Sequence, residues 1–186
     1  ETNVGAGLPL IDTIQHLVQS GDRIHKIEGM FSGTLNYVFS NFNSSITFKK
    51  VIEDARAAGL TPEARLADWA VVGVEPSLMG HGPVPAISQL LKRVDLGIND
   101  IDYFEINEAF AVVNLHAEAQ LGISRDRHNL YGGGISVGHP PGVTGLRMML
   151  NATQHLQDTG GRYAILSMCL GAGQGMAMLI ENAAAL

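Results

Sequence analysis

The sequence lacks the features of a disulfide-stabilised, membrane-spanning or nucleic-acid-binding protein. It has 186 residues and a single cysteine, Cys169, so no internal disulfide can form. No apolar run reaches the ~18–20 residues that a membrane-spanning helix needs. The formal net charge of −6 disfavours a surface that binds nucleic acid. The opening ETNVGAG has neither a basic leader nor a starting methionine, which predicts a fragment or a processed chain. We therefore expect a cytoplasmic protein with no membrane and no nucleic-acid partner.

Apolar residues make up 46% of the chain and charged residues 16%, a globular composition. In the first third, the apolar spacing predicts helices over residues 9–20, 35–42 and 48–58 and a strand over 24–31. Thr47 is the expected N-cap of the last helix, and Gly59 its stop. Because one strand cannot form a sheet, this part is expected to be an incomplete α+β unit.

The remainder of the chain has a different pattern. Strands are predicted over 65–74, 101–106, 162–168 and 176–181, and helices over 83–94, 108–121 and 143–159. Residues 79–83, 132–134 and 169–175 are predicted loops, with a short strand after the second. Strands that alternate with helices predict a layered α/β domain.

Three predicted loops at strand or helix boundaries carry polar groups suited to acyl chemistry: NEAF at 107–110, GHPPG at 138–142 and SMCLG at 167–171. His139 can accept and return a proton near neutral pH, and Cys169 can act as a nucleophile or a base. Asn107 can orient a water or donate to a carbonyl oxygen. A lone cysteine is nevertheless more often a small core residue, and a histidine before proline more often a turn residue.

Four longer motifs add a family resemblance. VEPSLMGHGPVPAI, DIDYFEINEAFA, GGGISVGHPPGVTGLR and CLGAGQGMAMLIE resemble the C-terminal half of a thiolase, in order and spacing, over about residues 60–186. The resemblance implies an acyltransferase of fatty acid metabolism that acts on coenzyme A thioesters by Claisen condensation or thiolysis.

The resemblance also implies roles for individual residues. His139 would activate the nucleophilic cysteine and help to bind the thioester oxygen. Cys169 would be the second cysteine, which takes the α-proton of the acyl-CoA or returns one to the enolate. Asn107 would hold an oxyanion-hole water, and Gly171 would supply a backbone donor to the other oxyanion hole. Met79 and Phe110 would line the acyl or pantetheine pocket.

One departure from the thiolase pattern bears on activity. In thiolases the cysteine that becomes acylated lies in the N-terminal half, and this sequence has no second cysteine. The covalent carrier of two-step acyl transfer is therefore missing, and we expect this chain to be inactive alone. Residual chemistry at His139 and Cys169, such as exchange of an α-proton, stays open as an alternative.

The first third of the chain resembles another family. ETNVGAGLPLIDTIQHLVQSGD and KIEGMFSGTLNYVFS are similar to the catalytic region of homoserine dehydrogenase, over about residues 1–60. That resemblance implies a monovalent cation, such as Na⁺, bound by Glu1, Val4, Ala6 and Leu8. From the residues alone, the glycines there simply form a turn into the helix. No GxGxxG dinucleotide fingerprint is present.

We therefore expect a hybrid chain. Residues 1–60 would be a small α+β fragment of homoserine dehydrogenase type, and 61–186 a thiolase-like layered α/β domain. The expected ligand is an acyl-CoA. A non-catalytic assembly module is the alternative, because half-domains that lack their usual partner surface expose apolar area and form homo-oligomers or aggregate.

Overall fold

The computed structural model describes residues 47–185, and the chain divides into two units, residues 1–62 and 63–186. In the first unit, helix α1 spans Phe48–Ala57. The Thr47 hydroxyl accepts a hydrogen bond from the Lys50 amide at 3.3 Å, which confirms the predicted N-cap. Gly59 follows with φ +81°, so the chain leaves the helix in a left-handed conformation. The elements predicted over 9–20, 24–31 and 35–42 lie outside the described residues.

The second unit is built on a four-stranded sheet in the order β1-β4-β3-β2. Strand β2 runs parallel to β3, and β4 runs antiparallel to both of its neighbours. Strands β1, β2 and β3 therefore end at the same edge of the sheet, where β4 begins. We call this edge the carboxyl edge. The strands are β1 Ala64–Gly73, β2 Tyr103–Ile106, β3 Tyr163–Leu170 and β4 Gln174–Asn182.

Helices cover both faces of this sheet, as expected for a layered α/β domain. The ranges are α2 Pro83–Val94, α3 Ala111–Leu121, α4 Gly134–Val137 and α5 Thr144–Thr159. Side chains alternate along β3, so Ile165 packs with α2 and α3 whereas Leu166 packs with α5. The two faces produce two apolar clusters, which hold the strands and helices together.

Two glycines bring the carboxyl edge against the start of α2. A Cβ atom on Gly175, the second residue of β4, would overlap the backbone carbonyl of Gly82. A Cβ atom on Gly82 would lie 2.6 Å from the carbonyl oxygen of Gln174. The two backbones therefore touch directly, which only glycine permits at this separation.

Three local predictions were wrong. Residues 79–83 were predicted as a loop, but Pro76–His81 forms a 3-10 helix. The short strand predicted after 132–134 is helix α4, because the Glu108 carboxylate accepts a hydrogen bond from the Ile135 amide at 2.9 Å. This tertiary contact overrides the β-propensity of its branched side chains. Cys169, predicted to lie in a loop, belongs to β3, where it pairs with Gly175.

The glycine contact predicts a large difference between two alanine substitutions. Gly175→Ala should lower the free energy of unfolding by about 1–3 kcal/mol or more, because backbone atoms must move to admit the methyl group. Gly145→Ala, in α5, should be neutral or stabilising by up to about 1 kcal/mol, because its Cβ would meet nothing within 4 Å. Urea unfolding followed by circular dichroism measures both, and equal stabilities would contradict the contact.

Candidate functional site

The six residues to which the thiolase resemblance assigns roles all lie at or beside the carboxyl edge. Each follows or ends a strand there, or contacts a residue that does, because parallel strands present their carboxyl ends together. Asn107 directly follows β2, Cys169 is the penultimate residue of β3, and Gly171 lies in the turn between β3 and β4. His139 lies between α4 and α5, Met79 in the 3-10 helix after β1, and Phe110 at the N-cap of α3.

Asn107 and His139 form a contact at the β2 side of this edge. Asn107 is 2% exposed, and its backbone N–H donates to the Ser167 carbonyl at 2.9 Å, which fixes it against β3. Its Nδ2 lies 3.5 Å from Nε2 of His139. Its Oδ1 is buried and has no hydrogen-bond partner among the described residues. A buried amide oxygen without a partner is costly, so this side chain is suited to hold a water or a ligand group.

Thr144 orients the His139 ring. The Thr144 hydroxyl donates to the Pro140 carbonyl at 3.0 Å and lies 2.8 Å from Nδ1 of His139. Because the single hydroxyl proton is directed to Pro140, Nδ1 carries the imidazole proton and donates it to Thr144. Nε2 is then the lone-pair nitrogen, and it faces the Asn107 amide. Thr144 is fully buried, whereas His139 is exposed, so the imidazole is accessible to solvent while its position is fixed by a buried partner.

Glu108 and Asn129 hold the glycine-rich segment 132–134 beneath this contact. Besides its bond to Ile135, the Glu108 carboxylate accepts from Asn129 Nδ2 at 3.4 Å. Asn129 also accepts from the Ile106 amide and donates to the Ile106 carbonyl, each at 2.8 Å. A Cβ on Gly133 would overlap the Glu108 carboxylate, so glycine is needed there. The segment that leads to His139 is thus tied to the end of β2.

A buried ion pair lies further down the same face. Glu105, 1% exposed, accepts from Arg147 and from Asn151 at 3.1 Å each, and from the Tyr103 hydroxyl. Burial raises the pKa of Glu105, which its polar partners oppose. Burial, and then the nearby Glu105 carboxylate, raises the pKa of Tyr103. Sequence reasoning missed this group, although a glutamate inside the apolar strand YFEI signals a buried partner.

Cys169 is half-buried and packs against the cluster formed with α2 and α3. Burial raises the pKa of its thiol, so the neutral thiol dominates at neutral pH. In the turn that follows, Gly171 is exposed, and a Cβ there would meet nothing within 4 Å. The tight position is Gly173 instead, which has φ +83° and whose Cβ would overlap the Val74 carbonyl.

Met79 is half-buried and Phe110 is 63% exposed. Neither lines the cavity of about 250 Å³ that opens between their two segments; Leu78 and Gly80, on either side of Met79, and Val112, two residues after Phe110, do. Both flank the carboxyl edge, and their role in lining an acyl or pantetheine pocket stays a prediction.

The predicted cation ligands Glu1, Val4, Ala6 and Leu8 lie outside the described residues. Within residues 47–185, no group of three or more His, Cys, Asp or Glu side chains could hold a metal ion. In the same part of the chain, no helix combines the length and apolar character needed to cross a membrane.

Two family models match the chain. The model described as "Thiolase, C-terminal domain" matches residues 60–182, and the model "Homoserine dehydrogenase" matches residues 9–71, so they overlap at 60–71. Both resemblances seen in the sequence are thereby confirmed. The match to homoserine dehydrogenase extends further than the boundary expected at residue 60.

Curated proteins and solved structures agree with the first match. The 3-oxoadipyl-CoA/3-oxo-5,6-dehydrosuberyl-CoA thiolase of Escherichia coli (strain K12) is 49% identical over 130 residues, covering 69% of this chain and 32% of the relative. The cytosolic acetyl-CoA acetyltransferase of Rattus norvegicus is 40% identical over 129 residues, covering 69% and 32%. This chain thus spans about a third of the length of the curated relatives that it matches.

Among solved structures, human mitochondrial 3-ketoacyl-CoA thiolase in complex with CoA superposes with a TM-score of 0.66 at 42% identity. The acetyl-CoA acetyltransferase of Bacillus anthracis gives 0.65, also at 42% identity. Each comparison covers 70% of this chain and 33% of the other. The layered α/β fold expected from the sequence is confirmed.

Because the Thr144 hydroxyl accepts the Nδ1 proton of His139, its removal should change the tautomer of the ring. In Thr144→Val the Nδ1 proton loses its acceptor, so the Nδ1–H population should fall and the Nε2–H population should rise. Nitrogen-15 NMR of the His139 ring measures the two populations. Thr144→Ser keeps the hydroxyl and should leave them unchanged; an unaltered ring in Thr144→Val would show that Thr144 does not orient it.

Proposed function

Because this chain belongs to the thiolase family through its match to the C-terminal domain, we propose that the domain supplies the proton-transfer and oxyanion-binding half of a site for acyl-CoA thioesters. The observation that carries the proposal is the Asn107–His139 contact of 3.5 Å, with the buried Asn107 oxygen left without a protein partner. A water held by the Asn107 oxygen can donate its second proton to a developing negative charge on a thioester oxygen, and Nε2 of His139 can donate to that oxygen once it has taken up a proton.

The roles proposed for the other residues follow from the same geometry. With its proton on Nδ1, His139 presents Nε2 as the acceptor for a proton from the reacting groups. Cys169, on the neighbouring strand, would remove the α-proton of the acyl group as thiolate or return one as thiol. Gly171 would donate its backbone N–H to the second oxyanion. Met79 and Phe110 would flank the pantetheine arm.

We propose further that the 186-residue chain does not complete acyl transfer alone. A thiolase cycle needs one cysteine to carry the acyl group and another to move the proton. Cys169 is the one cysteine of this sequence, and its raised pKa makes it a poor nucleophile at neutral pH. The reaction would be Claisen condensation or thiolysis once a second cysteine is supplied.

We also propose that the chain is a hybrid with a homoserine dehydrogenase segment, on the support of the match over residues 9–71. A Na⁺ site at the N-terminal loop, involving Glu1, rests on that resemblance. A cytoplasmic location is supported by rodent relatives such as the cytosolic acetyl-CoA acetyltransferase of Mus musculus.

A non-catalytic assembly role is the second candidate, and one surface favours it. On β1, Leu66, Trp69 and Val71 are 44%, 54% and 53% exposed and pair with Ile180, Met178 and Met176 of β4. They therefore lie on the face of the sheet that carries α5, beside it. An apolar strip of this kind on an outer strand promotes self-association.

The first prediction of this proposal is the absence of thiolysis. With acetoacetyl-CoA and free CoA, the purified chain should produce no acetyl-CoA beyond the uncatalysed rate, because no cysteine is available to carry the acyl group while Cys169 moves the proton. Absorbance of the acetoacetyl-CoA enolate measures the reaction. Sustained turnover would contradict it.

Deuterium exchange into acetyl-CoA, measured on the same sample, distinguishes a site that retains proton-transfer activity from an inactive one. Because burial raises the Cys169 pKa, the thiolate is scarce at neutral pH, and exchange should be at background there. Any exchange that the site supports should increase as the pH rises towards the thiol pKa and should vanish in Cys169→Ser. Exchange that survives this substitution would exclude Cys169 as the base.

If the chain self-associates through the exposed strip on β1, a charge placed there should reduce the size of the assembly. Val71→Lys places a charge on the exposed strip and should shift the chain from an oligomer to a smaller species in size-exclusion chromatography with light scattering. Leu115→Lys, at a position 50% exposed on α3, should leave the oligomer intact. A monomer before any substitution would argue against assembly.

A further inference from the structure

Two histidines outside the carboxyl-edge contact lie in direct contact with each other. His81 is the last residue of the 3-10 helix Pro76–His81, and His116 lies in the middle of α3. Nδ1 of His81 is 2.8 Å from Nε2 of His116. The ring centroids are 5.0 Å apart, and the ring planes are inclined by 59°. Neither imidazole takes part in the proposed acyl chemistry.

A cavity of about 250 Å³ adjoins the pair, and the two imidazoles are the polar side chains of its lining. Its other lining residues are Leu78, Gly80, Val112 and Val113, so the lining contains no lysine or arginine. A Cβ on Gly80 would lie 3.2 Å from Val113, which shows that the 3-10 helix packs closely on α3. The spacing of the two rings is therefore set by backbone packing and not by their mutual hydrogen bond alone.

We propose that His81 and His116 bind a divalent transition-metal ion, of the Zn²⁺ and Cu²⁺ class, with water completing its coordination. Imidazole nitrogen is a preferred ligand of these ions. The cavity has room for the ion and for several waters, each of which occupies about 30 Å³ in the liquid. The overall formal charge of −6 favours a cation over an anion.

The ring positions already suit a chelate. With metal–nitrogen distances of about 2.0–2.1 Å and a tetrahedral angle, two imidazoles on one ion place their nitrogens about 3.3 Å apart and their ring centres about 5.2 Å apart. The observed ring-centre separation of 5.0 Å is close to this value, whereas the nitrogens are closer together, at 2.8 Å. Rotation of the rings nearly in place would therefore turn both lone pairs towards a shared ion.

The protons balance in this step. In the hydrogen-bonded pair, one of the facing nitrogens carries a proton and the other accepts it. Metal binding requires both lone pairs, so that proton moves through solvent to the other nitrogen of the same ring. Two metal–nitrogen bonds form, and waters of the hydrated ion are released. Nothing is oxidised or reduced.

Two protein ligands make an open site. The described residues contain no group of three or more ligating side chains, so this ion would exchange with solvent and keep coordination positions for waters. The simpler explanation is a structural hydrogen bond that joins the 3-10 helix to α3, and the experiment distinguishes the two.

The test is isothermal titration of the metal-free full chain with Zn²⁺ and Cu²⁺. We expect one binding event that His81→Ala and His116→Ala each weaken at least tenfold. His155→Ala is the matched control, because His155 is also half-buried but contacts Tyr131 instead, at 3.1 Å. It should bind as the unmodified chain does. Equal weakening in all three variants would overturn the proposal.

A second pair of variants guards against unfolding. His81→Asn and His116→Gln can keep a hydrogen bond between the two elements but are poor ligands of these ions. If they retain the circular dichroism of the unmodified chain and lose the binding event, the site is a metal site. If they bind as tightly as the unmodified chain, the contact is structural and the proposal fails. Electron paramagnetic resonance of bound Cu²⁺ should show nitrogen coupling that either alanine variant reduces.

Discussion

The buried Glu105–Arg147 ion pair is the interaction on which the geometry of the carboxyl edge depends. Glu105 lies two residues before Asn107 on β2, and Arg147 lies three residues after Thr144 on α5. The pair thus links the strand that carries the amide to the helix that anchors the imidazole. Removal of one partner from a buried pair leaves an unpaired charge, which costs about 3–5 kcal/mol. Because the pair joins β2 to α5, it keeps together the strand and the helix that position the two sides of the 3.5 Å Asn107–His139 contact.

Glycine backbones fix the other side of the same edge. The direct approach of Gly82 to Gly175 sets the start of α2 against the start of β4, and Gly173 closes the turn on Val74. Cys169 pairs with Gly175, so its position depends on this packing. One side of the edge is therefore fixed by an ion pair and hydrogen bonds, and the other by direct packing of glycine backbones. Small changes on either side would displace the groups that we propose converge on a substrate.

The sequence predicted the parts of this arrangement that depend on local pattern. The bounds of α2 were predicted correctly, because Pro83 begins the helix and its apolar positions recur at helical spacing. The motifs placed Asn107 and His139 at strand and helix boundaries, and the sheet brings them together. Helix α4 was mistaken for a strand because its cap comes from Glu108, 27 residues away in sequence. The partners of Glu105 were equally inaccessible, since Arg147 is 42 residues away.

Residues 60–71 are matched by both family models, and the strand pairing shows which unit most of them belong to. Helix α1 ends before Gly59, and β1 begins at Ala64. From Ala64, opposite Asn182, to Gly73, opposite Gln174, β1 pairs with β4, and Arg65 forms an ion pair with the buried Glu181. A strand bonded along its length to β4 is part of that sheet whichever pattern its residues match. The 64–71 stretch therefore belongs to the same unit as β4, residues 63–186, although both family models match it.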